Sequence, residues 1–165
     1  MAMVATQNFR SVDRLLTKPS ILAAQQLGKL GPGPARALLR YQVSEQNRWY
    51  FETWGFAEII LGVALFSVLL FGSTETKFTL LLSLLMLLIA LAQRLLLTPE
   101  IVALGRLIDF LPTGVASAER ARFWMLHTVF SGVEVLKWVL GLIITVKLLF
   151  RTRRRVQATT PDKST

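Results

Sequence analysis

Glu134 and Lys137 stand three residues apart in an otherwise largely apolar stretch, 127–150. An acid and a base at that spacing share a helix face and can pair. Glu58 interrupts a second apolar block, 54–72, and Gln93 and Arg94 interrupt a third, 78–97. Ionisable groups set in that much hydrocarbon are costly, so they face one another, water or a ligand. Two chemistries are open to Glu58, Glu134, Lys137 and His127. They could handle protons, metal ions or small solutes, or they could form neutralised pairs that fix helix register. His127 is the one histidine and cysteine is absent, which excludes thiolate metal sites, cysteine nucleophiles and a multi-histidine centre within one chain. A haem-ligand role for His127 would need a second ligand from elsewhere. No catalytic triad arrangement, glycine-rich phosphate loop or paired-carboxylate hydrolase pattern is present. Gly31-Pro32-Gly33-Pro34 is a turn with no strand before it. The expectation is a non-enzymatic protein without a cofactor.

The elements that must position these residues follow from block length. At about 1.5 Å per residue, about 20 helical residues cross a hydrocarbon core of roughly 30 Å. Blocks 54–72, 78–97 and 127–150 each reach that length, and the first two are joined by a turn of five residues, 73–77. They must double back as a hairpin. With Gly72 and Lys77 at one depth, residues whose numbers sum to about 149 face each other, which predicts a Glu58–Arg94 pair. Each block carries one small or polar seam at helical spacing: Gly55, Glu58 and Gly62; then Thr79, Ser83, Met86, Ala90 and Gln93; then His127, Ser131, Glu134, Trp138, Gly141 and Thr145. Small residues let backbones approach, and polar ones hydrogen-bond across the gap. The predicted fold is an all-α integral membrane bundle with three transmembrane helices and interfacial amphipathic helices.

The flanking segments read as follows. Residues 1–9 lack a signal-peptide pattern. Ser20 caps a helix to about Leu30, the Gly-Pro run breaks it, and Pro34 sits in the first turn of the next. That helix continues through Trp49-Tyr50-Phe51, Trp54 and Phe56. Trp49, Tyr50, Trp54 and Trp124 are expected as headgroup-level anchors. Thr98-Pro99-Glu100 is a helix start for a short interfacial helix over 99–111. Ser117 opens the last helix, which the arginines at 151, 153, 154 and 155 end. Three regions result: interfacial helices over 1–52, a transmembrane domain over 53–150 and a basic, disordered tail over 151–165.

The formal net charge of +9 invites a nucleic-acid reading. Its placement beside the apolar blocks points instead to anionic lipid headgroups. Eleven basic residues precede the first block, end the second (Arg94) or lie between the second and third. Seven lie in the hairpin turn, near the end of the third block (Lys147) or after it. The total favours a cytoplasmic N-terminal segment, whereas the terminal arginine cluster favours the reverse. The expected partners are the bilayer itself, a second copy or a membrane complex, and no nucleic acid.

Leu97-Thr98-Pro99-Glu100-Ile101, running on to Arg106, and Ala121-Arg122-Phe123-Trp124-Met125-Leu126-His127 resemble signatures of small uncharacterised bacterial four-helix membrane domains. These are distantly similar to eukaryotic transmembrane protein 205. Asn8-Phe9-Arg10 through Gln46-Asn47-Arg48 resembles the segment after that family's first span. The likeness covers most of residues 8–150 and lacks that first span, of which 1–7 could be the tail. The resemblance implies a multi-pass protein of the bacterial inner membrane and no established reaction.

Overall fold

The computed structural model describes residues 2–73, 75–111 and 116–159, and of 2, 3 and 152–159 the backbone only. The described residues are helical, with no strand among them: α1 (Ala2–Thr17), α2 (Ile21–Leu30), α3 (Pro32–Phe71), α4 (Lys77–Ala92), a π-helical turn (Gln93–Leu97), α5 (Thr98–Ile108) and α6 (Ala118–Thr159). The all-α expectation holds. The chain divides into two compact units: Met1–Phe56 with Arg94–His127, and Ala57–Gln93 with Thr128–Thr165.

Local chemistry accounts for most boundaries. The Ser20 side chain accepts from the Ala23 backbone N–H and starts α2. Gly31, at φ 78°, separates α2 from α3 in a conformation that other residues rarely adopt. α3 begins at Pro32, so Pro34 lies inside its first turn. It then runs unbroken through the aromatic group to Phe71. Thr76 caps α4 by accepting from the Thr79 N–H, and Ser117 Oγ accepts from the Arg120 N–H at the start of α6.

Two boundaries differ from expectation. Thr98 does not cap a new helix: it is buried, and no side-chain cap precedes α5. The chain passes from α4 into α5 through the π turn. Pro99 lacks an N–H, and its ring would crowd the Leu95 carbonyl in a regular helix; the widened turn just before it relieves that conflict. At the other end, α6 continues to Thr159, through residues expected in the tail. Arginine is a good helix former and its charge suits a helix C-terminus. The rest of the expected tail, 160–165, lies outside the described residues.

In the unit formed by Ala57–Gln93 and Thr128–Thr165, Leu82, Leu140 and Ile144 form the apolar core, with Met86, Ile89 and Leu148 against them. α4 buries its polar seam: Thr79 is 0% exposed, Ser83 1% and Gln93 3%. Thr79 Oγ1 lies 3.1 Å from Thr76 Oγ1, and Ser83 Oγ donates to the Leu80 carbonyl. Leu81, Leu85 and Leu88 point outward and are exposed, while Leu82 belongs to the core. The hairpin register is also met. A Cβ on Gly62 would lie 3.1 Å from Leu87 Cδ1, a pair that obeys the predicted sum.

Two helical runs among the described residues, Pro32–Phe71 and Lys77–Ile108, are long and apolar enough to cross a bilayer. α6 does not join them. Glu134, Lys137 and Lys147 divide the block in which a third span was expected.

Candidate functional site

Four of the predicted polar residues meet in one place. α3 supplies Glu58, the start of the π turn supplies Gln93, and α6 supplies Glu134 and Lys137. The Lys137 ammonium lies 2.6 Å from Glu58 Oε2 and 2.7 Å from Glu134 Oε1. Gln93 Nε2 donates to Glu134 Oε1 at 3.0 Å and to the Phe130 carbonyl at 3.3 Å. Lys137 and Gln93 are buried, and Glu58 and Glu134 are mostly so. The helical spacing of Glu134 and Lys137 puts both on the inner face of α6. Glu58 reaches that face from its own seam on α3.

This arrangement corrects the pairing expected for Glu58. Its carboxylate binds Lys137, whereas the Arg94 guanidinium lies over the Phe56 ring, 4.3 Å from its centroid. Gly55 makes room for the Arg94 stem: a Cβ there would fall 2.8 Å from Arg94 Cδ. An arginine stacked on an aromatic face keeps a favourable electrostatic contact without a carboxylate.

The rest of the expected α6 seam is rotated. Lys137, Leu140 and Ile144 are buried, and Gly141 meets Met86. Trp138 is 79% exposed, and Ser131 and Thr145 are exposed. At 3.6 residues per turn that series keeps to one stripe, but the stripe lies about 100° around α6 from Lys137, Leu140 and Ile144, and only Glu134 and Gly141, at its near edge, approach the inner face. His127 is half-buried beside Phe123, stacked at 5.9 Å between centroids, and meets the Trp124 edge at 5.8 Å. It packs among aromatics. The expected anchors Trp49, Trp54 and Trp124 are exposed, and Tyr50 packs edge-on to Trp49.

A second ionic network lies in the unit formed by Met1–Phe56 and Arg94–His127. Arg48 Nη1 donates to Glu45 Oε1 and Nη2 to Asp109 Oδ2, both at 2.6 Å. Arg106 also approaches Glu45, at 3.3 Å. Arg48 and Asp109 side chains are nearly buried, and Gly105 admits the guanidinium, since a Cβ there would meet Arg48 Nε at 3.3 Å. The sequence carries a signal for this network: Glu45 with Arg48 and Arg106 with Asp109 are complementary i,i+3 pairs on two helices. Nearer the N-terminus, Asp13 pairs with Arg36 at 2.7 Å and Arg40 at 3.7 Å. The hydrogen bond from Arg36, with the Arg40 charge behind it, holds the Asp13 carboxyl below the usual carboxylate range.

Among the described residues no three His, Cys, Asp or Glu side chains gather as a metal centre. What the Glu58–Gln93–Glu134–Lys137 cluster can do is fix helix positions through a buried salt bridge, or exchange a small cation at its oxygens. Compared with known proteins, the chain matches no family model, no curated protein and no solved structure.

Proposed function

We propose that the chain is a multi-pass integral membrane protein without enzymatic activity, in which the Glu58–Lys137–Glu134 cluster clamps helix register. The observation that carries this reading is the placement of polar groups along α4 and the π turn after it, which bury Thr79, Ser83 and Gln93 beside Leu82 and Ala90 and turn Leu81, Leu85 and Leu88 outward. In water the hydrophobic effect drives the opposite choice. In hydrocarbon, polar and small groups seek one another and leucine has no reason to hide. A core helix of a soluble protein would bury its apolar stretch, yet 6% of the most apolar window of α3 and 28% of that in Lys77–Ile108 are buried. α6 makes the third crossing, with Glu134 and Lys137 turned to the cluster and Lys147 over the Phe78 ring. The bacterial inner membrane, anionic headgroups against the basic flanks, and a second copy or a membrane complex as partner complete the reading. It agrees with the likeness to transmembrane protein 205-like domains.

Alkaline carbonate extraction of cell membranes tests it: the chain stays in the pellet, and release into the supernatant overturns the reading. Single cysteines at Ser73 and Ala116 in the cysteine-free chain then report topology to an impermeant thiol reagent. The two label from opposite sides if Lys77–Ile108 makes a crossing.

A second reading is a conduit for protons, metal ions or small solutes. It is favoured by the meeting of Glu58, Glu134 and Lys137, with Gln93, at one point. Neutralising all three charged residues together separates the two: a clamp keeps its assembly and shows no flux before or after the change, whereas a conduit folds and loses flux.

A further inference from the structure

We propose that Gln93 and Glu134 hold a site for one alkali cation. Gln93 is 3% exposed, and its amide nitrogen is committed to Glu134 Oε1 and the Phe130 carbonyl, both acceptors. That commitment fixes the amide orientation and leaves Gln93 Oε1 buried with no donor. A buried acceptor without a partner costs free energy until something satisfies it. It belongs to the same amide whose nitrogen sits 3.0 Å from the Glu134 carboxylate, so a positive charge at Oε1 lies within Coulomb range of that carboxylate. Glu134 Oε1 already accepts from Gln93 and lies 2.7 Å from the Lys137 ammonium. That same ammonium is shared with Glu58 at 2.6 Å.

The donor set selects the ligand class. Amide and carboxylate oxygens suit hard cations rather than soft ones. A divalent ion would want more carboxylates and would be repelled more strongly by the Lys137 ammonium. A single positive charge matches the site. Gln93 opens the π-helical turn Gln93–Leu97 that Pro99 induces, and such turns occur frequently at functional sites. This inference deepens the conduit reading by naming its ligand, but it requires binding only and not passage.

The test uses the full chain purified in detergent micelles. Thermal unfolding is followed in lithium, sodium, potassium and choline chloride at matched ionic strength. The midpoint is expected to rise with one or more of the alkali ions, with the concentration dependence of ligand binding, and to stay flat in choline. Gln93→Met and Glu134→Gln are expected to weaken that dependence at least tenfold, while Asp13→Asn keeps it. No alkali-specific shift in the wild type overturns the proposal by itself, whether or not the variants fold. An undiminished shift in Gln93→Met also overturns it, since an ordinary buried water at Oε1 would then suffice. A cation-dependent midpoint without cation flux in proteoliposomes keeps the site and discards the conduit.

Discussion

Lys137 Nζ lies 2.6 Å from Glu58 Oε2, joining residues 79 positions apart through side chains that are 8% and 17% exposed. A pair so nearly buried gains little net free energy from existing, because desolvation offsets the attraction. Losing one partner is different. Lys137→Met strands two carboxylates and is expected to destabilise the protein by about 3–5 kcal/mol. Replacing Glu58 and Glu134 by Gln in the same chain should recover most of that loss. Chemical denaturation in micelles measures both steps, and a full loss in the triple variant would show that the charges themselves hold the fold.

Arg48 bridges two acids with one planar fork, Nη1 to Glu45 and Nη2 to Asp109. Lysine is a point charge on a flexible stem and does not reproduce that fork. Arg48→Lys is therefore expected to recover little of the stability lost in Arg48→Met, although both positive charge and stem length are largely kept. Unfolding midpoints of the two variants decide this; near-wild-type stability of Arg48→Lys would mean that charge alone is needed.

Gly62 and Leu87 mark a close approach of the hairpin arms in their unit. A Cβ at Gly62 would sit 3.1 Å from Leu87 Cδ1 and 3.7 Å from its Cα. Gly62→Ala needs only the flexible tip of Leu87 to move, whereas Gly62→Leu must displace backbone. The larger substitution is expected to cost about 1–3 kcal/mol, as overpacking does, and Leu87→Ala in the same chain should relieve it. An additive double-mutant cycle would show that the two residues are not coupled.

How far the sequence carries the fold is clearest along this hairpin. Block length and a five-residue turn predict the doubling back, and the sum rule predicts both Gly62 opposite Leu87 and Gly55 opposite Arg94. The seam of α4 is legible because Thr79, Ser83, Ala90 and Gln93 differ in kind from the leucines around them. The partner of Glu58 is not legible. Register within a hairpin is local, whereas Lys137 arrives from a helix whose placement depends on everything between. The series from His127 misleads for a related reason: it tracks polarity, but Trp138 and Thr145 lie off the face that Leu140 and Ile144 bury. The π turn hides behind an ordinary start signal, since Thr98-Pro99-Glu100 reads the same whether a helix begins there or a continuing helix absorbs a proline.

Asp13 supplies the pH prediction. Its carboxyl titrates below the usual range because Arg36 hydrogen-bonds it and Arg40 lies near. A depressed folded value means that the unfolded chain binds the proton more readily. The contribution is therefore fully present above the ordinary carboxylate value and is lost as pH falls through the lower folded one. The Asp13 carboxylate joins α1 to α3, so acidification should loosen α1 first, and added salt should mimic the effect at neutral pH because the pair is exposed. Hydrogen exchange of α1 amides, normalised for the intrinsic pH dependence, reads the change. Asp13→Asn should show the loosened α1 at every pH and no further acid transition there. An α1 that exchanges identically in the wild type and Asp13→Asn across the acid range would mean that this ion pair does not hold the helix.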